Sequence, residues 1–151
     1  MPDRPPRLLV VDDEPGMLAL VQRFAEGERF EVVTRAGGRA LLTELPALKP
    51  DVALVDRNMP EVGGLDVLRT IREIDPDCLV ILMTAYATVE SAIEAVKLGA
   101  LDYLSKPLDL DRLRELLHTV RYGIERRQRL LAADSELASR FEFFGMVGRS
   151  P

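Results

Sequence analysis

The chain has 151 residues, 47% of them apolar and 30% charged, with a formal net charge of -5; this is one ordinary domain with some chain to spare and enough apolar side chains to fill a core. The charge balance suits neither a polyanion-binding surface nor an acidic disordered tail, so nucleic acid is not an expected partner. The single Cys78 lies in the apolar run CLVILM with no second cysteine to pair, and the apolar run after MPDRPPR is far shorter than a signal core or a membrane span, which together point to the reducing cytoplasm and away from a membrane.

Short apolar or β-branched runs alternate with segments of helical period along the chain. LLVV (8–11) reads as a strand, and Pro15 opens a helix over 15–27. FEVVT (30–34) is the second strand and 38–45 the second helix; VALV (52–55) and 64–74 form the third pair. LVILM (79–83) precedes a helix over 88–98 that Gly99 suits to end, and DYLS (102–105) precedes a fifth helix beginning near Leu110. Parallel strands need crossovers of about a dozen residues, and that is what separates these runs. The expected fold class is α/β, a doubly wound five-stranded parallel sheet with helices on both faces.

Such sheets bind at the carboxyl ends of their strands. The residues there are Asp12 and Asp13 after the first strand, Asp56 after the third, Thr84 and Ala85 after the fourth, and Lys106 and Pro107 after the fifth. Two like charges about 4 Å apart repel by roughly 4 kcal/mol at an effective dielectric of 20, so three crowded carboxylates must protonate, spread apart or hold a cation. Few, water-open oxygen ligands suit Mg²⁺, and zinc is disfavoured because the only histidine, His118, falls in a helical segment away from the rim. A divalent ion and Lys106 would neutralise a moving phosphoryl group, Thr84 would donate a hydrogen bond to it, and Asp56 would be its nucleophile. Plainer readings stand beside these: Asp13 as a helix cap, Asp56 as a loop aspartate before RNMPEVGG, Thr84 as a strand end, Lys106 as a solvated lysine.

The segments VVDDEPG, LVDRNMPEVGGLDVL and ILMTAYATVESAIEAVKLGALDYLSKP, in this order and spacing, resemble the receiver domain of two-component response regulators over residues 7 to 120. The resemblance implies that Asp56 is the phosphoacceptor, that Asp12 and Asp13 belong to a Mg²⁺ pocket, and that the Asn58 backbone carbonyl adds a ligand. It makes Thr84 the switch hydroxyl, Lys106 the phosphate-pairing lysine and Tyr103 the rotating aromatic. It further implies strand order 2-1-3-4-5 and a cis bond before Pro107. Gly63 and Leu108 depart from the usual pattern without touching the chemistry. On this reading phosphorylation raises the charge on Asp56, draws Thr84 in, and lets Tyr103, expected to point outward while Leu104 faces the core, turn into the vacated space.

Beyond residue 108 the helical pattern outlasts what a fifth helix requires. Leu113, Leu117, Val120, Ile124 and Leu131 repeat at coiled-coil spacing, with Arg127 and Asp134 interrupting. Two accounts fit, a helix packed on its own domain and one that protrudes to pair with a second copy; the second is preferred. The closing FFGMVGRSP resembles the opening of the AAA+ ATPase domain of sigma-54-dependent activators of the nitrogen-regulatory class, and no GxxxxGK[ST] is present. The expected organisation is a receiver over 1–120, a dimerising linker helix over 121–142 and the start of an ATPase domain over 143–151.

Function is therefore expected to be signalling rather than turnover: phosphoryl transfer from a sensor histidine kinase to Asp56, slow loss to water, and altered geometry of a homodimer held through the fifth helix and linker. The alternatives are a phosphatase-like hydrolase using Asp56 as nucleophile, for which no segment supplies a general acid or substrate cap, and a dimerisation domain with a vestigial pocket.

Overall fold

The computed structural model describes residues 4–143, with side chains described through residue 133. Strands and helices alternate as β1 (Arg7–Val11), α1 (Pro15–Gly27), β2 (Glu31–Arg35), α2 (Leu41–Leu48), β3 (Val52–Asp56), α3 (Gly64–Ile74), β4 (Leu79–Thr84), α4 (Val89–Lys97), β5 (Asp102–Ser105) and α5 (Leu110–Phe143). All strand pairs are parallel, in the order β2-β1-β3-β4-β5. This is the expected doubly wound sheet.

Alternation along the strands feeds two cores. In β1, Leu9 and Val11 join Ala53, Val55, Val80 and Leu82 beneath α2, α3 and α4. Leu8 and Val10 join Leu54, Ile81 and Met83 beneath α1 and α5. Helices cover both faces of the sheet. That corrects the expectation for Tyr103: Leu104 does enter the α1–α5 core, but Tyr103 is half-buried against the opposite core rather than outward.

Local chemistry explains most boundaries. Pro15 opens α1, where its missing N–H has no partner to lose. The N-cap is Glu14, with no side-chain cap bond, so Asp13 does not cap the helix. Thr88 and Ser91 form a reciprocal capping box at the start of α4. Gly99 ends that helix region at φ +102, a conformation that favours glycine. The second helix lies about one turn later than 38–45 and runs through Pro46, because Leu41 and Leu45 are buried in the core and Leu48 packs against it. Gly64 brings α3 onto the end of β3: a Cβ there would sit 2.4 Å from the Asp56 carbonyl oxygen.

The fifth helix resolves part of the seam question. Leu113, Leu117, Val120 and Ile124 are all buried against the sheet and α1. Their four-and-three spacing is a core-facing stripe, so those four are not free to meet a second copy. Leu131 differs, with 61% exposure. Past Ile124 the helix continues beside the base of the sheet, where Arg127 Nη1 lies 3.8 Å from Asp77. The Asp134 side chain and residues 144–151, nearly all of FFGMVGRSP, lie outside the described residues.

Candidate functional site

Three strand ends converge where the topology requires. Carboxylate oxygens of Asp12, Asp13 and Asp56 lie within 4.8 Å of one another. Asp12 and Asp56 are buried, and Asp13 is exposed. Lys106, at the end of β5, places Nζ 2.8 Å from Asp12 Oδ2, 3.3 Å from Asp56 Oδ2 and 3.7 Å from Glu14 Oε1. Backbone amides complete the first contacts: Glu14 N donates to Asp12 Oδ1 at 2.9 Å and Asn58 N to Asp56 Oδ1 at 3.1 Å. The peptide bond between Lys106 and Pro107 is cis, as the resemblance implies, and Lys106 N donates to the Thr84 carbonyl at 2.7 Å.

These contacts set the electrostatics. Burial pushes the Asp56 carboxyl above its usual pKa, and the Asp12 charge adds to the rise; the Asn58 amide and Lys106 oppose it without cancelling it. Partial burial would lower the Lys106 pKa, but the hydrogen bond to Asp12 and the charges of Asp12 and Asp56 raise it instead. Three carboxylates against one ammonium leave surplus negative charge in a small, partly open cup. Hard oxygen donors in that arrangement fit a small divalent cation such as Mg²⁺. His118 takes no part, its Nε2 lying 2.6 Å from Glu28 Oε1 at the far end of α1.

Thr84 is fully buried at the end of β4. Its hydroxyl donates to Asn58 Oδ1 in a short hydrogen bond and accepts the Tyr86 amide at 3.0 Å. The Asn58 side chain thus engages the Thr84 hydroxyl, a contact the sequence did not suggest. Tyr103 donates its hydroxyl to Ser91 Oγ at 2.9 Å, joining β5 to α4. Two further residues escaped the sequence reading: Glu14, close to Lys106, and Arg57, whose Nη2 lies 3.1 Å from Glu94 Oε1. Ser91 had a legible signal, the Thr-x-x-Ser capping spacing; the Arg57–Glu94 pair had none.

A cleft of about 430 Å³, lined by Arg4, Lys49, Asp51, Asp75 and Cys78 among others, opens elsewhere. Asp51 and Cys78 precede β3 and β4, so it sits at the amino ends of the strands, opposite the acidic cup. It offers no substrate chamber to Asp56.

The family model described as "Response regulator receiver domain" matches residues 8–118. Transcriptional regulatory protein ZraR of Escherichia coli (strain K12) is 37% identical over 149 residues, covering 95% of this chain and 32% of the relative. Regulatory protein AtoC from the same strain is 42% identical over 107 residues, covering 71% of this chain and 23% of the relative. The chain thus spans a third or less of the length of these two relatives. The crystal structure of the signal receiver domain of a putative LuxO repressor protein from Vibrio parahaemolyticus superimposes with a TM-score of 0.76 at 28% identity, covering 84% of this chain and 97% of that one. With a family model that matches residues 8–118 and a fold shared with a solved receiver domain, the chain belongs to the response regulator receiver domains.

Proposed function

We propose that Asp56 accepts a phosphoryl group from a phosphohistidine of a cognate sensor kinase in a Mg²⁺-dependent reaction. The observation carrying this reading is Lys106 Nζ poised between Asp12 and Asp56 beside three clustered carboxylates. An Asp56 carboxylate oxygen attacks phosphorus; the O–P bond forms as the N–P bond breaks, and the departing imidazole keeps the bonding pair and takes a proton from solvent. The raised pKa of Asp56 makes its ionised form a better electron donor than an exposed aspartate. Asp12, Asp13, Asp56 and the Asn58 backbone carbonyl would hold Mg²⁺, which when bound would neutralise charge on the phosphoryl oxygens. Lys106 shifts from the bare carboxylate to a phosphoryl oxygen. Thr84 leaves Asn58 and donates to another, and Tyr103 follows the space that Thr84 vacates.

The attached output is proposed to be the AAA+ ATPase of a sigma-54-dependent transcriptional activator, with receiver over 1–120, linker over 121–142 and ATPase start from 143. Support comes from the similarity to ZraR, which covers 95% of the chain and so extends past the matched receiver residues 8–118. Inactive homodimers form through the fifth helix and linker, where Tyr122, Leu130 and Leu131 are 61%, 55% and 61% exposed. Action in the cytoplasm without direct nucleic-acid contact is proposed from the lone unpaired Cys78 and the charge balance. No helix among the described residues is long and apolar enough to cross a membrane.

Intact-mass analysis after exposure to acetyl phosphate tests the chemistry. One phosphoryl group per chain is expected, dependent on Mg²⁺ and lost in Asp56→Asn. Sustained hydrolysis of many equivalents of a phosphomonoester would instead support a hydrolase. Sedimentation with and without beryllofluoride tests the dimer, and a monomeric unmodified protein would refute it.

A further inference from the structure

The fourth helix is the least anchored element around the cup. Of its residues only Ala95 is buried, whereas α3 buries Gly64, Val67, Leu68 and Ile71. Val89, Ile93 and Val96 are 76%, 50% and 60% exposed. Apolar burial scales with area removed from water, so it does little to fix where α4 lies. Polar contacts take over that task. Ser91 and Glu94 stand three residues apart and so share a helix face. Ser91 Oγ accepts the Tyr103 hydroxyl at 2.9 Å, and Glu94 Oε1 accepts Arg57 Nη2 at 3.1 Å.

Arg57 is the residue after Asp56, and its backbone N–H donates to the Met83 carbonyl at 2.8 Å, holding it between the ends of β3 and β4. Its side chain is 22% exposed and that of Glu94 48%. Partial burial alone would lower the guanidinium pKa, but Glu94 and then the Tyr103 hydroxyl more than offset this and raise it. Arg57 Nη1 is buried and has no acceptor in bonding geometry among the described residues. The guanidinium is therefore paired with Glu94 through one nitrogen while another donor stays unused.

We propose that Arg57 is a positioning residue, whose ion pair with Glu94 holds α4 in its unmodified place and couples movement of the Asp56 backbone directly to that helix. The coupling half rests on the reading of Asp56 as phosphoacceptor; the holding half does not. This route runs beside the one through Thr84 and Tyr103. It uses a charge pair that spans 37 residues of sequence.

Amide hydrogen exchange of α4 in the unmodified protein tests the holding half. Arg57→Met, which retains an aliphatic stem, and Glu94→Gln should each speed exchange in α4 by about two- to five-fold, the range expected of a partly exposed pair. The double variant should match either single one, a non-additivity that two unrelated packing defects would not give. Exchanging the charges, Arg57→Glu with Glu94→Arg, should restore slow exchange. Unaltered α4 exchange in both single variants, or effects that simply add, would overturn the proposal.

Beryllofluoride with Mg²⁺ tests the coupling half. Freeing α4 should tighten beryllofluoride binding by the same factor, since less of the protein is held in the non-binding form. Faster exchange without tighter binding would overturn the coupling while leaving Asp56 chemistry intact. Absence of beryllofluoride binding in the unaltered protein would count against Asp56 and thereby overturn the coupling; the exchange result would still decide the holding role.

Discussion

Replacing Lys106 with methionine keeps most of the aliphatic stem and removes the one cation between Asp12 and Asp56. With Nζ 2.8 Å and 3.3 Å from the two carboxylates, the contacts amount to about 6 and about 5 kcal/mol at an effective dielectric of 20. Desolvation of the three groups offsets most of that. Removing one partner of a buried pair costs about 3–5 kcal/mol, and the 13% exposure of Lys106 places the expected loss near the lower bound, about 3 kcal/mol. The pH dependence follows from Asp56, whose pKa is already raised and rises further without the lysine. A carboxyl raised in the folded state favours folding below its unfolded pKa and loses that advantage as pH rises through the folded one. The deficit of Lys106→Met should therefore be largest at neutral pH and shrink as pH falls toward the unfolded aspartate value of about 4. Urea unfolding followed by circular dichroism, in the presence of a chelator, measures it. Adding Asp56→Asn should recover part of the loss. An equal deficit at both pH values and in both backgrounds would show that Lys106 acts through packing, and the charge argument would fail.

Without Mg²⁺, Asp56→Asn alone should raise the urea midpoint at neutral pH and lose this gain in acid, because the raised pKa means the fold disfavours the ionised group; a lowered neutral midpoint would contradict this. Gly64→Ala should destabilise by about 2–3 kcal/mol and slow phosphorylation by acetyl phosphate together, since the new Cβ would meet the Asp56 carbonyl at 2.4 Å and the Arg57 Cα at 2.7 Å. Leu117→Ala should cost about 3 kcal/mol in unfolding experiments, whereas Leu131→Ala should change monomer stability by less than about 0.5 kcal/mol and weaken self-association measured by sedimentation. Burial pushes the Cys78 thiol up to about 12, so alkylation near pH 8 should run about a thousandfold slower in the folded protein than in urea; comparable rates would mean that the start of β4 is open.

Strand positions were readable to within one residue because a doubly covered parallel sheet demands short, apolar or β-branched runs. The acidic cup was readable for a topological reason, since strand ends meet wherever the chain places them. The second helix was misplaced because sequence rules stop a helix before proline, while burial of Leu45 and packing of Leu48 compensate for the bond that Pro46 cannot make. Spacing alone could not assign Leu113 to Ile124, because the same four-and-three repeat serves a helix on its own sheet and a helix on a second copy. Thr84 on Asn58, Tyr103 on Ser91 and Arg57 on Glu94 were illegible for another reason. Each links residues 12 to 37 positions apart, through side-chain directions that neither period nor composition encodes.

One uninterrupted helix, Leu110–Phe143, both plugs the receiver core and leaves it. Residues from Ile124 to Phe143 form a rod of about 28 Å at the usual rise per residue. A tilt of about 10° at its base would sweep the far tip sideways by about 5 Å, comparable to a full turn of helix. Subtle repacking under the sheet is thereby magnified mechanically, with no joint along the way to absorb it.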